Sequence, residues 1–148
     1  MAKNNKPEYS NEVLYNILDT VKTIALVGAS SKPERASYEV MAFLQAHGYR
    51  VIPVNPVIAG QSLLGETVYA SLDDIPDSFD MLEIFRNSDA AGEITKEALA
   101  LNESKQPKVI WMQLKIINHE AAKLAKSKGI TVIMDRCPKQ IIKEQVIA

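Results

Sequence analysis

The chain has 148 residues, 47% of them hydrophobic and 24% charged, with a formal net charge of −1. That is the make-up of an ordinary folded domain, long enough to hide roughly two-thirds of its unfolded surface, and it gives no electrostatic case for nucleic acid or an anionic membrane. No apolar run approaches the ~20 residues of a bilayer span, MAKNNKPEYS lacks the apolar core of a signal peptide, and the single Cys137 excludes an internal disulfide framework or a Cys-cluster zinc site.

The expectation is therefore one cytoplasmic domain over residues 1–148. Residues 1–9 are polar and predicted to fray, since little in them would offset the entropy of ordering. Ser10 then reads as an N-cap, with Val13, Leu14, Ile17, Leu18 and Val21 spaced along one helix face. Thr23–Val27 is a continuous β-rich run, the pattern of a strand buried on both faces of a parallel sheet. From about Ser37 the period turns helical, with Val40, Met41 and Leu44 inward and His47-Gly48 closing the helix. Arg50–Val54 is a second strand whose Pro53, lacking an N–H, points to a strand end or sheet edge.

Between Asn55 and Phe79 the pattern is irregular, with a short strand predicted at Thr67–Tyr69 and no full crossover helix. Asp80–Phe85 reads as the next strand and Asp89–Asn102 as a helix with Ile94, Ala98 and Leu101 inward. Lys108–Met112 is a strand, Asn118–Lys128 a helix stopped by Gly129, and Thr131–Met134 the last strand. Pro138 opens a final helix at its favoured first position. Strands alternating with helices predict an α/β, three-layer, doubly wound (Rossmann-like) parallel sheet of about five strands with helices on both faces. The predicted strand order is 3-2-1-4-5, which places a binding crevice between the first strand and Asp80–Phe85, beyond the carboxyl ends.

That rule yields the candidate site residues: Gly28, Ala29, Ser30, Ser31 and Lys32 after the first strand, and Asn55 and Pro56 after the second. Arg86, Asn87 and Ser88 follow the strand at Asp80–Phe85, Gln113 the next, and Asp135, Arg136 and Cys137 the last. The groups offered are hydroxyls, amides and cations, with few carboxylates. Gly28 permits a sharp turn and close approach of an anion, while Lys32 and Arg35 add charge. The N-terminus of the helix near Ser37 adds unpaired N–H groups, worth about 0.3–1 kcal/mol to an anion. A polar turn with no ligand is the competing interpretation of this loop alone.

The loop fails as an NAD fingerprint. G-x-G-x-x-G requires three glycines and an acid about 20 residues on, whereas Ser30 and Pro33 replace the second and third glycines and Asn55 ends the second strand. NADP is retained only through Lys32 or Arg35. Among other candidates, His47 reads as a helix-end residue, His119 as a surface residue and Trp111 as core. Asp135 reads as an orienting or capping residue before a general base. No nucleophile–base–orienter set emerges, so a binding module is favoured over an enzyme.

Taken in order, GASSKPERAS, VIPVNP, DMLEIFRNSD, VIWMQL and MDRCPK make Thr23 to Lys139 resemble the stand-alone CoA-binding domain family. These are Rossmann-type proteins similar to the N-terminal domain of the succinyl-CoA synthetase α subunit. The resemblance implies a small-molecule ligand, coenzyme A or an acyl-CoA, across the strand ends. Ser30, Lys32, Arg35 and Ser37 of the Gly28 loop would take the phosphates, Asn55 and Pro56 would border the nucleotide, and Arg86 and Asn87 would line the crevice. Gln113 and the Asp135-Arg136-Cys137 turn would lie toward the pantetheine arm. It implies a sensor, carrier or regulatory module; the alternative is a small NADP- or other nucleotide-dependent enzyme using the same crevice, and a blander third is an interaction domain without a ligand. A protein partner or homo-oligomer stays open. One departure is Lys115, where the family tends to have glycine after the Gln-Leu pair. Cys137, flanked by Arg136 and a helix start, raises the question of a mixed disulfide with the CoA thiol, against the plainer reading of an inert, half-buried thiol.

Overall fold

The computed structural model describes residues 7–147. In chain order the elements are α1 (Asn11–Thr20), β1 (Thr23–Val27), α2 (Ala36–Ala46), β2 (Arg50–Val54), β3 (Ser62–Leu63), β4 (Glu66–Thr67) and β5 (Met81–Ile84). They continue with α3 (Ser88–Leu99), β6 (Val109–Met112), α4 (His119–Ser127), β7 (Thr131–Ile133) and α5 (Pro138–Ile147). Five parallel strands form one sheet in the order β2-β1-β5-β6-β7, and β3 and β4 make a separate antiparallel pair. The chain reverses its direction of travel across the sheet between β1 and β5, at the predicted crevice.

Local chemistry accounts for the boundaries. The Ser10 hydroxyl accepts the Val13 N–H at 3.2 Å and starts α1. Gly48 and Gly129 follow the last turns of α2 and α4 at φ +93° and +82°, where a left-handed residue ends a helix. Pro53 sits on β2, the edge strand, as its missing N–H requires. At the amino end of the sheet Asp80 Oδ2 accepts the N–H groups of Lys22 and Thr23 at 2.9 and 3.0 Å, tying β1 to the residue before β5.

Two apolar layers sandwich the sheet. On one face α3 and α4 supply Ala91, Ile94, Ala98, Ala121, Ala122 and Ala125 against Ala25, Ile52, Leu82, Ile84, Ile110 and Val132. On the other, α1, α2 and α5 supply Leu14, Leu18, Met41, Leu44, Ile141 and Ile142 against Ile24, Leu26, Val51, Met81, Trp111 and Ile133. This layering is the doubly wound arrangement, and no helix among the described residues is long and apolar enough to cross a membrane.

Besides shifts at element ends, such as α3 spanning Ser88–Leu99 where Asp89–Asn102 was expected, the structure departs from the sequence reading as follows. The strand expected at Thr67–Tyr69 is a hairpin arm plus one parallel bridge, Val54↔Tyr69, so the outermost strand of the 3-2-1-4-5 order is reduced to a single contact. Gly60 and Gly65 break this stretch into turns at positive φ, too short for a full ladder. Helix α2 begins at Ala36, one residue before Ser37. Val13 is 46% exposed and lies off the buried face of α1. The fraying expected for 1–9 concerns residues 1–6, which lie outside the described residues, and 7–9, which are held: the Pro7 carbonyl accepts from Arg136 at 2.9 Å and the Tyr9 hydroxyl from the Met134 N–H at 2.8 Å.

Candidate functional site

Beyond the carboxyl ends of β1, β2 and β5 lies a cavity of about 630 Å³. Of the predicted residues, Gly28, Ala29, Ser30, Lys32, Arg35, Ser37, Asn55, Pro56 and Arg86 line it, and the sequence reading missed Val27, Ala36, Val54, Val57 and Phe85. These five are apolar residues at the strand tips, in the loops after them and, for Ala36, at the start of α2, which no pattern of donors singles out. Lys32, Arg35 and Arg86 are exposed at its mouth, and no carboxylate, histidine or cysteine lines it.

The first loop is built from its backbone outward. Gly28 turns the chain at φ +94°, and its N–H and that of Ala29 donate to the Val54 carbonyl at 3.0 and 3.3 Å. A side chain there would run into the Phe85 carbonyl of the strand-end loop after β5. Gly28 is thus demanded by the fold before any ligand arrives. The Ser30 hydroxyl oxygen accepts the Lys32 N–H at 3.1 Å and folds the loop back on itself. At the start of α2, Arg35 is the cap residue but supplies no side-chain acceptor, so the first N–H groups of the helix face the cavity uncapped. Ser37 lies beside them, 6% exposed.

Asn55 closes the second wall. Its Nδ2 donates to the Ala29 carbonyl at 2.8 Å and its Oδ1 accepts the Val57 N–H at 2.9 Å, clamping the β1 and β2 loops together. Where a dinucleotide site would carry a ribose-binding acid, this chain has a neutral amide with both ends occupied. Val57, 85% exposed, stands at the cavity edge as an unburied apolar surface. Arg86 has no ion-pair partner among the described residues, and it also borders a smaller cavity of about 140 Å³ lined by Ser71, Leu72, Ile94 and Glu97.

The remaining predicted residues lie elsewhere. Ser31 is exposed and does not line the cavity. Asn87 accepts the Ala90 N–H at 2.8 Å and caps α3. Gln113 is buried at the tip of β6. Asp135, at φ +60°, accepts the Lys115 N–H at 2.6 Å, and Lys115 is itself left-handed at φ +69°. Arg136 is turned toward the chain's beginning, donating to the carbonyls of Asp135 and Pro7 at 2.8 and 2.9 Å and lying 5.1 Å from the Tyr9 ring centroid. Cys137 is 5% exposed within the α1/α2/α5 layer. The residues predicted after β7 lie at the far edge of the sheet from the cavity, and Arg136 is there engaged by the N-terminal segment, a long-range pairing that no local pattern announces.

Other residues take structural parts. Trp111 is fully buried and donates its indole N–H to the Arg136 carbonyl at 2.9 Å. His47 stacks on Phe43 with ring centroids 4.0 Å apart, its Nδ1 2.9 Å from the Phe43 carbonyl. The sequence reading passed over Glu83, fully buried in the middle of β5; its only signal was a charged residue inside an otherwise apolar central strand.

Chemically, the cavity presents a flexible cationic rim, hydroxyls, an open helix N-terminus and apolar strand tips. Such a set can hold an anion attached to an apolar body. A family model described as a CoA binding domain matches residues 22–143. Protein YneT of Bacillus subtilis (strain 168) is 39% identical over 130 residues, 88% of this chain and 92% of that protein. Among solved structures, a hypothetical protein from Pyrococcus horikoshii OT3 superposes with TM-score 0.86 at 35% identity, covering 99% of both chains. The protein ID.343 from Thermus thermophilus gives TM-score 0.84 at 36% identity, over 92% of this chain and 98% of that one.

Proposed function

This chain belongs to the CoA-binding domain family, and from that premise we propose that it binds coenzyme A or an acyl-CoA across the carboxyl ends of β1, β2 and β5 as a non-catalytic carrier, sensor or regulatory module. The observation that carries the reading is the imbalance of the cavity: three basic side chains, Lys32, Arg35 and Arg86, surround it, and no acid lines it. Left empty, such a rim is a concentration of like charge. A pyrophosphate and a 3′-phosphate would neutralise it with charge-assisted hydrogen bonds. The N-terminus of α2 with Ser30 and Ser37 would take the pyrophosphate, Lys32 and Arg35 the 3′-phosphate, and the Pro56–Val57 surface the nucleotide base. A lining without histidine, cysteine or carboxylate supports holding over turning over. A cytoplasmic setting, where the CoA pool lies, follows from the same reading.

Thermal-shift titration against CoA, acetyl-CoA, dephospho-CoA, NAD and NADPH tests it. A ligand selective for the native state stabilises by about 2.7 kcal/mol at a hundredfold excess over Kd. CoA and acetyl-CoA are expected to raise the Tm and NAD to leave it unchanged. Dephospho-CoA is expected to give a reduced shift. The rim cations would serve the 2′-phosphate of NADP as well, so stabilisation by NADPH without CoA would replace this reading with the small nucleotide-dependent enzyme.

A further inference from the structure

Glu83 occupies the centre of the central strand β5, opposite Leu26 of β1 and Trp111 of β6 in the ladder, with no exposed surface. Neither of its carboxyl oxygens has a hydrogen-bond partner among the described residues. A third buried atom shares that condition: Oε1 of Gln113, two residues past Trp111 on β6. Side chains alternate along a strand, and Met81, Phe85, Val109 and Trp111 all pack in the α1/α2/α5 layer. Glu83 and Gln113 therefore face that same layer, as diagonal neighbours on adjacent strands, within reach of side chains of this length. The backbone of Gln113 is fixed at both ends: its N–H donates to Ile84 at 3.2 Å and its carbonyl accepts from Ile116 at 2.9 Å. Only its amide remains free to choose an orientation.

With Glu83 ionised, all three orphaned atoms are acceptors and nothing satisfies them. One proton does. We propose that Glu83 is held as a carboxylic acid donating to Oε1 of Gln113, making it a positioning residue that turns the Gln113 amide N–H2 toward the strand tips as a donor for a ligand carbonyl. Burial pushes the Glu83 carboxyl well above the usual carboxylate range, and the neighbouring Cys137 acts in the same direction. The layer that Glu83 faces holds Leu26 from β1 and Trp111 from β6, its ladder partners, and Leu18, Met41 and Ile141 from the helices. Among the described residues, Cys137 is the titratable neighbour that acts on it. An ionised Glu83 facing an inverted Gln113 amide would leave a charge in that layer with a single neutral partner, a costly arrangement. The ligand carbonyl would belong to the amide or thioester of an acyl-CoA arm, and in this part the inference rests on the CoA reading.

Infrared difference spectra of the full chain, wild type against Glu83→Gln at neutral pH, decide the protonation state without any ligand. A protonated carboxyl C=O band lost in Glu83→Gln and shifted in Gln113→Leu is expected. Its absence from the wild type, or its indifference to Gln113→Leu, overturns the hydrogen bond. Stability gives a second readout. Because the folded pKa is raised, the proton's contribution is complete below the ordinary carboxyl value of about 4.3 and is lost as the pH rises through the raised value, a loss that Glu83→Gln removes. For the ligand arm, acetyl-CoA has no thiol to titrate. Its affinity is expected to fall about three- to tenfold as Glu83 ionises, the loss of one hydrogen bond, and to stay level in Glu83→Gln, which retains a donor. An equal fall in both proteins overturns the positioning role. Absence of acetyl-CoA binding in either protein removes the function proposed above and leaves the spectra to judge the acid.

Discussion

At the β1–β2–β5 end of the rim, Lys32, Arg35 and Arg86 surround an open cavity with no acid in its lining. Beyond β7 the polar groups are spent on the protein itself: Arg136 on the carbonyls of Asp135 and Pro7, Asp135 on the Lys115 N–H, and Tyr9 on Met134. Similar residues, a few strands apart, thus do opposite work. A cation left without an ion-pair partner beyond the strand ends is the one our proposal gives to the ligand, whereas one engaged by backbone carbonyls holds the chain's first described residues onto the sheet. Position relative to the strand ends selects both groups alike; only the partners distinguish them.

The largest effect on this contrast is expected from Gly28→Val. The substitution puts a β-branched residue at φ +94° and drives its Cβ into the Phe85 carbonyl. Strain and overlap together are expected to cost about 2–4 kcal/mol of unfolding free energy in urea, with the open half of the rim collapsing first. A stable Gly28→Val that still binds CoA would mean that the turn accepts a side chain against the Phe85 carbonyl.

Next in size is a paired test of the two arginines. Arg86→Ala is expected to weaken CoA by about ten- to a hundredfold, the usual loss for a charge-assisted hydrogen bond, with an unchanged urea midpoint and a shallower salt dependence. Arg136→Ala is expected to do the reverse, lowering the midpoint through the loss of its bonds to Pro7 and Asp135 and its stacking on Tyr9 while leaving CoA affinity within about twofold. Loss of affinity in Arg136→Ala, measured on protein shown to be folded, would join the two halves of the rim into one site.

What could be read from the sequence follows the same division. The strands and helices were legible because TIALV, RVIPV and VIWM are continuous apolar runs, and because Ser10, Gly48, Gly129 and Pro138 mark boundaries by local chemistry. The cavity was legible where glycine and polar residues follow β1, β2 and β5, as Gly28, Asn55 and Arg86 do. Two things were not. The bond between Arg136 and Pro7 spans 129 positions, and no periodicity encodes it. Nor does the apolar half of the cavity, Val27, Val54 and Phe85, differ in sequence from core. Glu83 lies between these cases: its charge is visible inside DMLEIF, but its lack of a partner is a fact of three dimensions.

Lys115 gives the smallest expected effect and the finest division. The resemblance leads one to expect glycine at this position. In the structure the position is left-handed, at φ +69°, and its N–H is bonded to Asp135. The conformation itself is therefore a sufficient reason for glycine, and Lys115 holds it under strain. Lys115→Gly relieves that strain but adds freedom to the unfolded chain, two terms of about 1 kcal/mol and opposite sign. The urea midpoint is expected to move by less than about 1 kcal/mol equivalent, and CoA affinity to stay within about twofold, because the side chain is exposed and lies outside the cavity lining. A clear gain in CoA affinity with no change in stability would show instead that the lysine obstructs the ligand, and would extend the binding surface across the closed half of the rim.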